Sequence, residues 1–326
     1  MTQLSSLSDL PGLADSHATR DAIEVSFVSD RAEWDSLLTL APFPHLPQSF
    51  AYGEGKSAKG WTTRRAVFVE RDRPVALASV LERQVLGLRV LTRLNRGPVF
   101  LEATPRPGQI GAVHAALRRH WRGPLLLAPA LESTQANCAL LRAAGYVRRQ
   151  RQGWTSGRID LARSEDEIWR GFGSTFRNRV RQAEKSGATL RVADDAATYE
   201  WMLARHTENM REKGFRAADA TLLRALRDAA PADVTVLQLL REGRPVSGMS
   251  VVRFGHIAEY HVGWFGPEGR KLNGGNFLMW HAIREMKRRG VLGFDVGGLK
   301  PGDGYTRFKR TMNPVEYELA GEWMSF

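Results

Sequence analysis

Arg73-Pro74-Val75-Ala76-Leu77-Ala78-Ser79-Val80-Leu81 returns, with the same key residues, as Arg244-Pro245-Val246-Ser247-Gly248-Met249-Ser250-Val251-Val252. Arg73, Pro74, Val75, Ser79 and Val80 match Arg244, Pro245, Val246, Ser250 and Val251 at a constant offset. Each copy follows an apolar run, Val67-Phe68-Val69 or Val236 to Leu240, and a polar turn, Arg71-Asp72-Arg73-Pro74 or Arg241-Glu242-Gly243-Arg244-Pro245. Strand, turn and return strand make a β-hairpin. Further on, His114-Ala115 is read as opening a helix that reaches Gly123 and the run Leu125-Leu126-Leu127. His281-Ala282 is read as opening one that reaches Gly290 and Leu292 to Val296. The same order of hairpin, helix, glycine and strand in both halves indicates an internal duplication. Each half is a mixed α/β unit in which a hairpin feeds a strand–helix–strand crossover.

The expected organisation follows: a loose polar tail over residues 1–20, a first unit over 21–155, a second over 156–313, and a C-terminal strand over 314–326 returning to the first. At 326 residues two domains are the natural division. Between the repeats, Arg158 to Leu161 reads as a strand, and Ser164-Glu165-Asp166-Glu167 as a capping box. In the helix that follows, Trp169, Phe172, Phe176, Val180 and Ala183 form an apolar stripe at spacings of three and four. Arg170, Arg177, Arg181 and Lys185 line another face. Residues 141–191 carry 12 basic and 5 acidic side chains. A solvated helix face and a phosphate-contacting surface are both open readings of that excess.

The formal net charge is +12, which favours anionic partners such as nucleic acid, phosphorylated substrates or an acidic membrane surface. The single cysteine, Cys138, excludes an intrachain disulfide and a cysteine-rich metal site, and fits a reducing compartment. No stretch reaches the ~18 apolar residues of a spanning helix, and no signal peptide is read at the start. The expected location is cytoplasmic, at most peripheral to a membrane. There is no Gly-x-x-x-x-Gly-Lys-Ser/Thr loop, no Gly-x-Ser-x-Gly elbow and no His-Glu-x-x-His motif. The eight histidines are dispersed, so no metal site is expected.

The chemistry-bearing stretch is Phe294-Asp295-Val296-Gly297-Gly298, followed by Gly302-Asp303-Gly304-Tyr305 and Phe308-Lys309. An apolar run ends on a carboxylate, a glycine-rich loop follows, and an aromatic and a lysine arrive together on a helix. Glycines admit close backbone approach, and such a lysine is suited to an anion or a developing oxyanion.

The duplicated unit resembles the GNAT acyltransferase fold, with Asn137-Cys138-Ala139-Leu140-Leu141-Arg142-Ala143-Ala144-Gly145-Tyr146 as its last helix and the entry to the next strand. A coenzyme A enzyme of that fold needs a Gln/Arg-x-x-Gly-x-Gly/Ala loop to grip pyrophosphate. Neither Arg106-Pro107-Gly108-Gln109-Ile110-Gly111 nor Arg270-Lys271-Leu272-Asn273-Gly274-Gly275 fits it. Two such halves without that loop resemble the FemABX family of aminoacyl-tRNA-dependent aminoacyltransferases, over roughly residues 45–326. The resemblance rests on Gln48-Ser49 with Lys56 and Trp61, Arg96-Gly97-Pro98, Arg177 to Gly187, and Thr207 with Arg211 and Phe215. Tyr260, Lys271-Leu272 and the stretch ending in Phe308-Lys309 complete it.

The resemblance implies a tandem GNAT-like fold, no bound cofactor, and transfer of an amino acid from aminoacyl-tRNA onto an amine of a UDP-linked or lipid-linked muramyl peptide, by a monomer. It implies that Lys56 and Arg211 hold the precursor's diphosphate, with Tyr260 and Tyr305 near the precursor. Phe308 and Lys309 would serve the aminoacyl-tRNA end and the chemistry. Asp295 is a candidate base, and Arg177, Arg181 and Lys185 are candidate tRNA contacts. Duller readings stand beside these: Lys309 and Lys56 as surface charges, Arg211 paired with Glu208 or Glu212, and Tyr260 as core. The coiled-coil arm of some family members is absent from 164–235. Two alternatives remain at this stage: an acyl-CoA-dependent acyltransferase, and an inert RNA- or membrane-binding module.

Overall fold

A computed structural model describes residues 23–215 and 217–326; the tail expected over 1–20 lies outside the described residues. The first half runs β1 (Glu24–Phe27), α1 (Arg31–Leu40), α2 (Phe50–Ser57), β2 (Thr62–Glu70), β3 (Arg73–Val85), β4 (Leu88–Asn95), β5 (Val99–Phe100), α3 (Pro107–His120), β6 (Leu125–Ala128), α4 (Gln135–Ala143) and β7 (Val147–Gln150). The second runs β8 (Thr155–Asp160), α5 (Glu165–Gly171), α6 (Ser174–Glu184), β9 (Thr189–Ala193), α7 (Ala196–Lys213), α8 (Ala220–Ala229), β10 (Val234–Arg241), β11 (Arg244–Phe254), β12 (Ile257–Phe265), α9 (Pro267–Lys271), α10 (Gly274–Arg288), β13 (Gly293–Asp295), α11 (Gly304–Arg310), β14 (Val315–Glu318) and β15 (Glu322–Ser325).

The repeat is real down to its irregularities. Both hairpins turn on two residues of positive φ, Arg71-Asp72 and Glu242-Gly243, the tight geometry that matches strand twist. Arg73-Pro74 and Arg244-Pro245 therefore belong to the return strands. Both hairpins also carry a bulge at the equivalent residue. Val75 is the extra residue between the pairs Phe68↔Ala76 and Val69↔Pro74, and Val246 the one between Leu239↔Ser247 and Leu240↔Pro245.

Each half builds a largely antiparallel sheet with one parallel pair, β4 with β6 and β12 with β13. The sheet orders are β1-β2-β3-β4-β6-β15-β7 and β14-β8-β13-β12-β11-β10-β9. By the order of the repeat the strand following β7, which is β8, would close the first sheet; instead it inserts between β13 and β14. Its counterpart β15 returns to lie between β6 and β7. The two halves thus exchange their last strands. The segment 314–326 divides between the sheets, since β14 stays with the second and only β15 joins the first.

Three cores result. One lies under α3 and α4 of the first sheet, and one under α6 and α10 of the second. The third joins the halves, with Val67 and Leu77 meeting Val236 and Val252 through α1, α7 and α8. The helix read as continuous from Ser164 is broken. The capping box forms at Ser164, but Phe172 and Gly173 are extended and α6 starts anew at Ser174. The stripe still works as read: Phe172, Phe176, Val180 and Ala183 are buried and Trp169 packs against them. His114 and His281 sit in the middle of α3 and α10 rather than at their starts, which Pro107 and Gly274 supply. His114 is buried, its Nδ1 lies 2.8 Å from the Ile110 carbonyl, and burial drives its pKa down to about 4. It is a core histidine.

Candidate active site

In the second half the parallel pair stays in register from Ile257↔Gly293 to Glu259↔Asp295 and then splays. Beyond that point β12 bulges between Tyr260 and Val262, while β13 runs into Val296-Gly297-Gly298. The ammonium of Lys309, from α11, lies in the resulting gap. It donates to the Gly298 carbonyl at 2.9 Å and stands 5.1 and 5.2 Å from the Tyr260 and Tyr305 rings. The phenol oxygens of those two tyrosines are 2.6 Å apart. Lys309 is only 3% exposed, and burial lowers its pKa to about 8 against the pull of Asp295, Glu259 and Asp303. Gly297, at φ +72°, makes this approach possible. A Cβ there would stand 2.8 Å from the Tyr260 carbonyl oxygen and 3.4 Å from the lysine nitrogen.

Asp295 ends the strand as expected, but its oxygens are occupied. It accepts from Ser156 Oγ, from the Gly297 amide at 2.9 Å and from the Tyr317 hydroxyl at 2.6 Å, with Arg158 Nε 3.5 Å away. With three donors and a guanidinium already on its oxygens, Asp295 fits a positioning role better than that of a base. A second carboxylate, Glu259, lies beside it, 4% exposed and paired with Arg96 of the first half at 3.2 Å. Burial raises the Glu259 pKa, with Arg96 opposing and Asp295 adding to the rise.

Arg96 carries the site into the first half. Its guanidinium stacks 4.3 Å from the Trp154 ring, and that ring packs on Gly298, where a Cβ would come within 3.0 Å. Trp154 and Arg96 line a cleft of about 550 Å³ that also holds Tyr52, Lys56, Trp61 and Arg93. It opens where β4 and β6 splay past Asn95 and Ala128, the counterpart of the Lys309 gap. Cleft and lysine are linked by Trp154 and Gly298.

The remaining expected residues divide. Lys56 lines this cleft, its nitrogen 5.3 Å from the Tyr52 ring. Arg211 is exposed and borders a different concavity with Thr207 and Arg224, while Glu208 pairs with Arg205 instead. The structure therefore does not bring Lys56 and Arg211 onto one wall. Phe308 is half-buried between Phe176, at 6.2 Å, and Tyr305, at 5.7 Å. Arg181 on α6 and Lys185 at its C-terminal cap are exposed, but Arg177 is turned inward and donates to the carbonyls of Arg170 and Phe172. It caps the end of α5 created by the helix break and is not presented to a phosphate. Among the described residues no cluster suits a metal ion, and no helix is long and apolar enough to cross a membrane.

Glu259 was legible in principle. A lone carboxylate inside Ile257-Ala258-Glu259-Tyr260 sits on a central strand, where a charge requires a partner. That the partner is Arg96, 163 residues away, is not a local signal. Trp154 carried none.

Two GNAT-type sheets with exchanged last strands, and a buried lysine at the splay of the second, define a tandem acyltransferase fold. Residues 171–310 match the acetyltransferase (GNAT) domain model. Among solved structures, the chain superposes on FemX with a TM-score of 0.77 at 17% identity, covering 92% of this chain and 96% of that one. The C-terminal domain of a putative lysylphosphatidylglycerol synthetase from Agrobacterium fabrum gives 0.54 at 11% identity, covering 90% and 91%. A tandem GNAT protein from the clavulanic acid biosynthesis pathway gives 0.53 at 13% identity, covering 93% and 98%. No curated protein sequence matches the chain. The chain has the fold of the FemABX-like tandem GNAT proteins.

Proposed function

We propose that the protein is an aminoacyltransferase that moves the amino acid of an aminoacyl-tRNA onto an amine of a peptidoglycan precursor. The observation that carries this reading is the Lys309 ammonium, held in the splay of β12 and β13 one residue after Phe308 and joined through Trp154 to the cationic cleft of Lys56 and Arg96. The likeness to FemX and to a lysylphosphatidylglycerol synthetase domain supports it.

The chemistry is ester aminolysis. The acceptor nitrogen attacks the ester carbonyl of the aminoacyl-tRNA, and the carbonyl oxygen becomes an oxyanion. The new C–N bond persists, the C–O bond to the terminal ribose breaks, and the amine's proton finishes on the ribose hydroxyl. A fixed ammonium beside that oxygen contributes about 3–4 kcal/mol, the size of one oxyanion-hole donor. The half-buried face of Phe308 suits stacking with the terminal adenine. In the cleft Lys56 suits the anionic acceptor, while Arg96 is paired with Glu259 and Arg93 with Glu322.

The test is incubation with a UDP-linked muramyl pentapeptide and radiolabelled aminoacyl-tRNAs. Label transfer supports the reading. Transfer from acyl-CoA alone replaces it with a coenzyme A enzyme, and binding without turnover replaces it with an inert module.

The pH profile adds a sharper check. With the Lys309 pKa near 8, the ammonium is lost as pH rises through that value. Arginine stays charged throughout. The ratio of wild-type to Lys309→Arg turnover therefore falls as pH rises through about 8, and using the ratio cancels titration of the acceptor amine. A ratio that rises instead makes Lys309 a base, not an oxyanion partner.

A further inference from the structure

The β3–β4 hairpin outruns its sheet. The pairing of β2 with β3 ends at Thr62↔Glu82, and that of β4 with β6 begins at Thr92↔Leu125. Residues 83–91 are therefore a two-stranded ribbon paired only with itself. Such a ribbon is marginal in water. Its tip is nonetheless apolar: Leu86 is 97% exposed, Leu88 72%, Val85 54% and Val90 45%.

Three other tight turns in the chain provide an internal comparison. Arg71-Asp72, Glu242-Gly243 and Gly255-His256 are polar, as exposed turns are expected to be. The ribbon turns on Leu86-Gly87, with Leu86 at φ +50°. A leucine there is strained by its Cβ and buries nothing in return, where asparagine, aspartate or glycine would sit at ease. Neither folding nor solubility accounts for it.

Charge surrounds the tip. From Arg83 to Arg93 there are three arginines and no acid. Arg83 donates to the carbonyls of Lys59 and Gly60, and Arg89 to that of Arg122 and, at 3.5 Å, to Glu82. These bonds pin cations, with exposed Lys59 and Arg122, in a collar behind the apolar end. Two acids meet this collar: Glu82 is buried and takes bonds from Arg89 and Trp121, and Asp219 pairs with Lys59 at 2.8 Å, which leaves Arg83, Arg89 and Arg122 as its main cations.

An exposed apolar tip backed by fixed cations matches an anionic bilayer, whose acyl boundary accepts the leucines and whose headgroups meet the arginines. We propose that residues 83–91 are a membrane-docking ribbon, with Leu86 and Leu88 entering the interfacial zone of an anionic membrane. The ribbon's base supplies Leu81 and Arg93 to the first-half cleft, so docking holds that cleft against the membrane surface.

The test is co-sedimentation of the full chain with phosphatidylglycerol–phosphatidylcholine vesicles and with phosphatidylcholine vesicles alone. The wild type is expected to bind the anionic vesicles and to be released by salt, since ~1 M salt shortens the screening length to about 3 Å. Leu86→Asp with Leu88→Asp should weaken binding at least about tenfold, by removing buried apolar area and adding like charge. Leu86→Asn, which suits the turn, should weaken binding while raising thermal stability; a purely structural role would not separate the two. Wild-type levels of binding by the double variant overturn the proposal. So does absence of binding to anionic vesicles, or a dimer in sedimentation velocity that the double variant dissolves. No arm uses the transfer reaction, so failure here leaves the proposed function standing, and the reverse holds as well.

Discussion

Lys309→Met is expected to reduce aminoacyl transfer by about 10²–10³-fold while leaving affinity for the muramyl peptide within a few-fold. Methionine keeps the length of the side chain and fits among the Tyr260 and Tyr305 rings, so the site keeps its shape. Only the charge is removed, and under the proposed function that charge meets an oxygen that is anionic in the transition state alone. The loss should therefore fall on kcat, and an equal loss in precursor affinity would make Lys309 a substrate anchor instead. The same substitution has a stability signature. Lys309 titrates near 8 in the folded chain, below the ~10.4 of an unfolded lysine. Below pH 8 both states hold the proton and the fold carries the full cost of the buried cation. Between about 8 and 10 the unfolded chain binds more protons, so wild-type stability rises with pH. Lys309→Met should be more heat-stable than wild type at pH 7, with the advantage shrinking toward pH 10. Thermal unfolding at the two pH values checks this separately from catalysis.

Trp323→Ala should destabilise the chain by about 3–5 kcal/mol, among the largest costs available to one substitution. Trp323 is fully buried on β15, the exchanged strand, and its indole nitrogen donates to the Ala320 carbonyl at 3.0 Å. Arg142 and Arg148 lie 5.8 and 5.5 Å from its ring. It packs into the core of the first half although only three residues follow it in the sequence. Because β8 and β15 have traded places and a third core joins the halves, neither half can unfold without exposing the other. Calorimetry should give a single transition for wild type, shifted down by roughly 10 °C in the variant. Two separate wild-type transitions, with only one displaced, would refute the coupling. Val315→Ala, on a strand residue that is 78% exposed, is the control and should change stability by no more than about 0.5 kcal/mol.

The hairpins were legible because their signals are local. Apolar runs, a polar turn and a repeated Arg-Pro-Val locate Val67–Leu81 and Val236–Val252 without reference to anything distant. The Ser164 capping box and the Trp169–Ala183 stripe are readable for the same reason. Errors of placement arose where two local signals competed. His114 and His281 read as helix starts although Pro107 and Gly274 lie a turn or more upstream, and the apolar stripe conceals the break at Phe172-Gly173. That break turns Arg177 from an exposed cation into a cap. Of the candidate site, Phe308-Lys309, Tyr260 and Tyr305 do converge. Asp295 joins them with its oxygens already taken, and Arg211 stands apart.

By itself the sequence determined a duplicated α/β unit, its hairpins and the lysine that follows its glycine-rich loop, because each of these is set by residues within a few positions of one another. Only the tertiary structure decided the exchange of β8 and β15, the pairing of Arg96 with Glu259 and the bridge of Trp154 from cleft to lysine. Those contacts join residues far apart in the chain, and no periodicity or turn chemistry encodes which strand edge or buried charge a distant segment will meet.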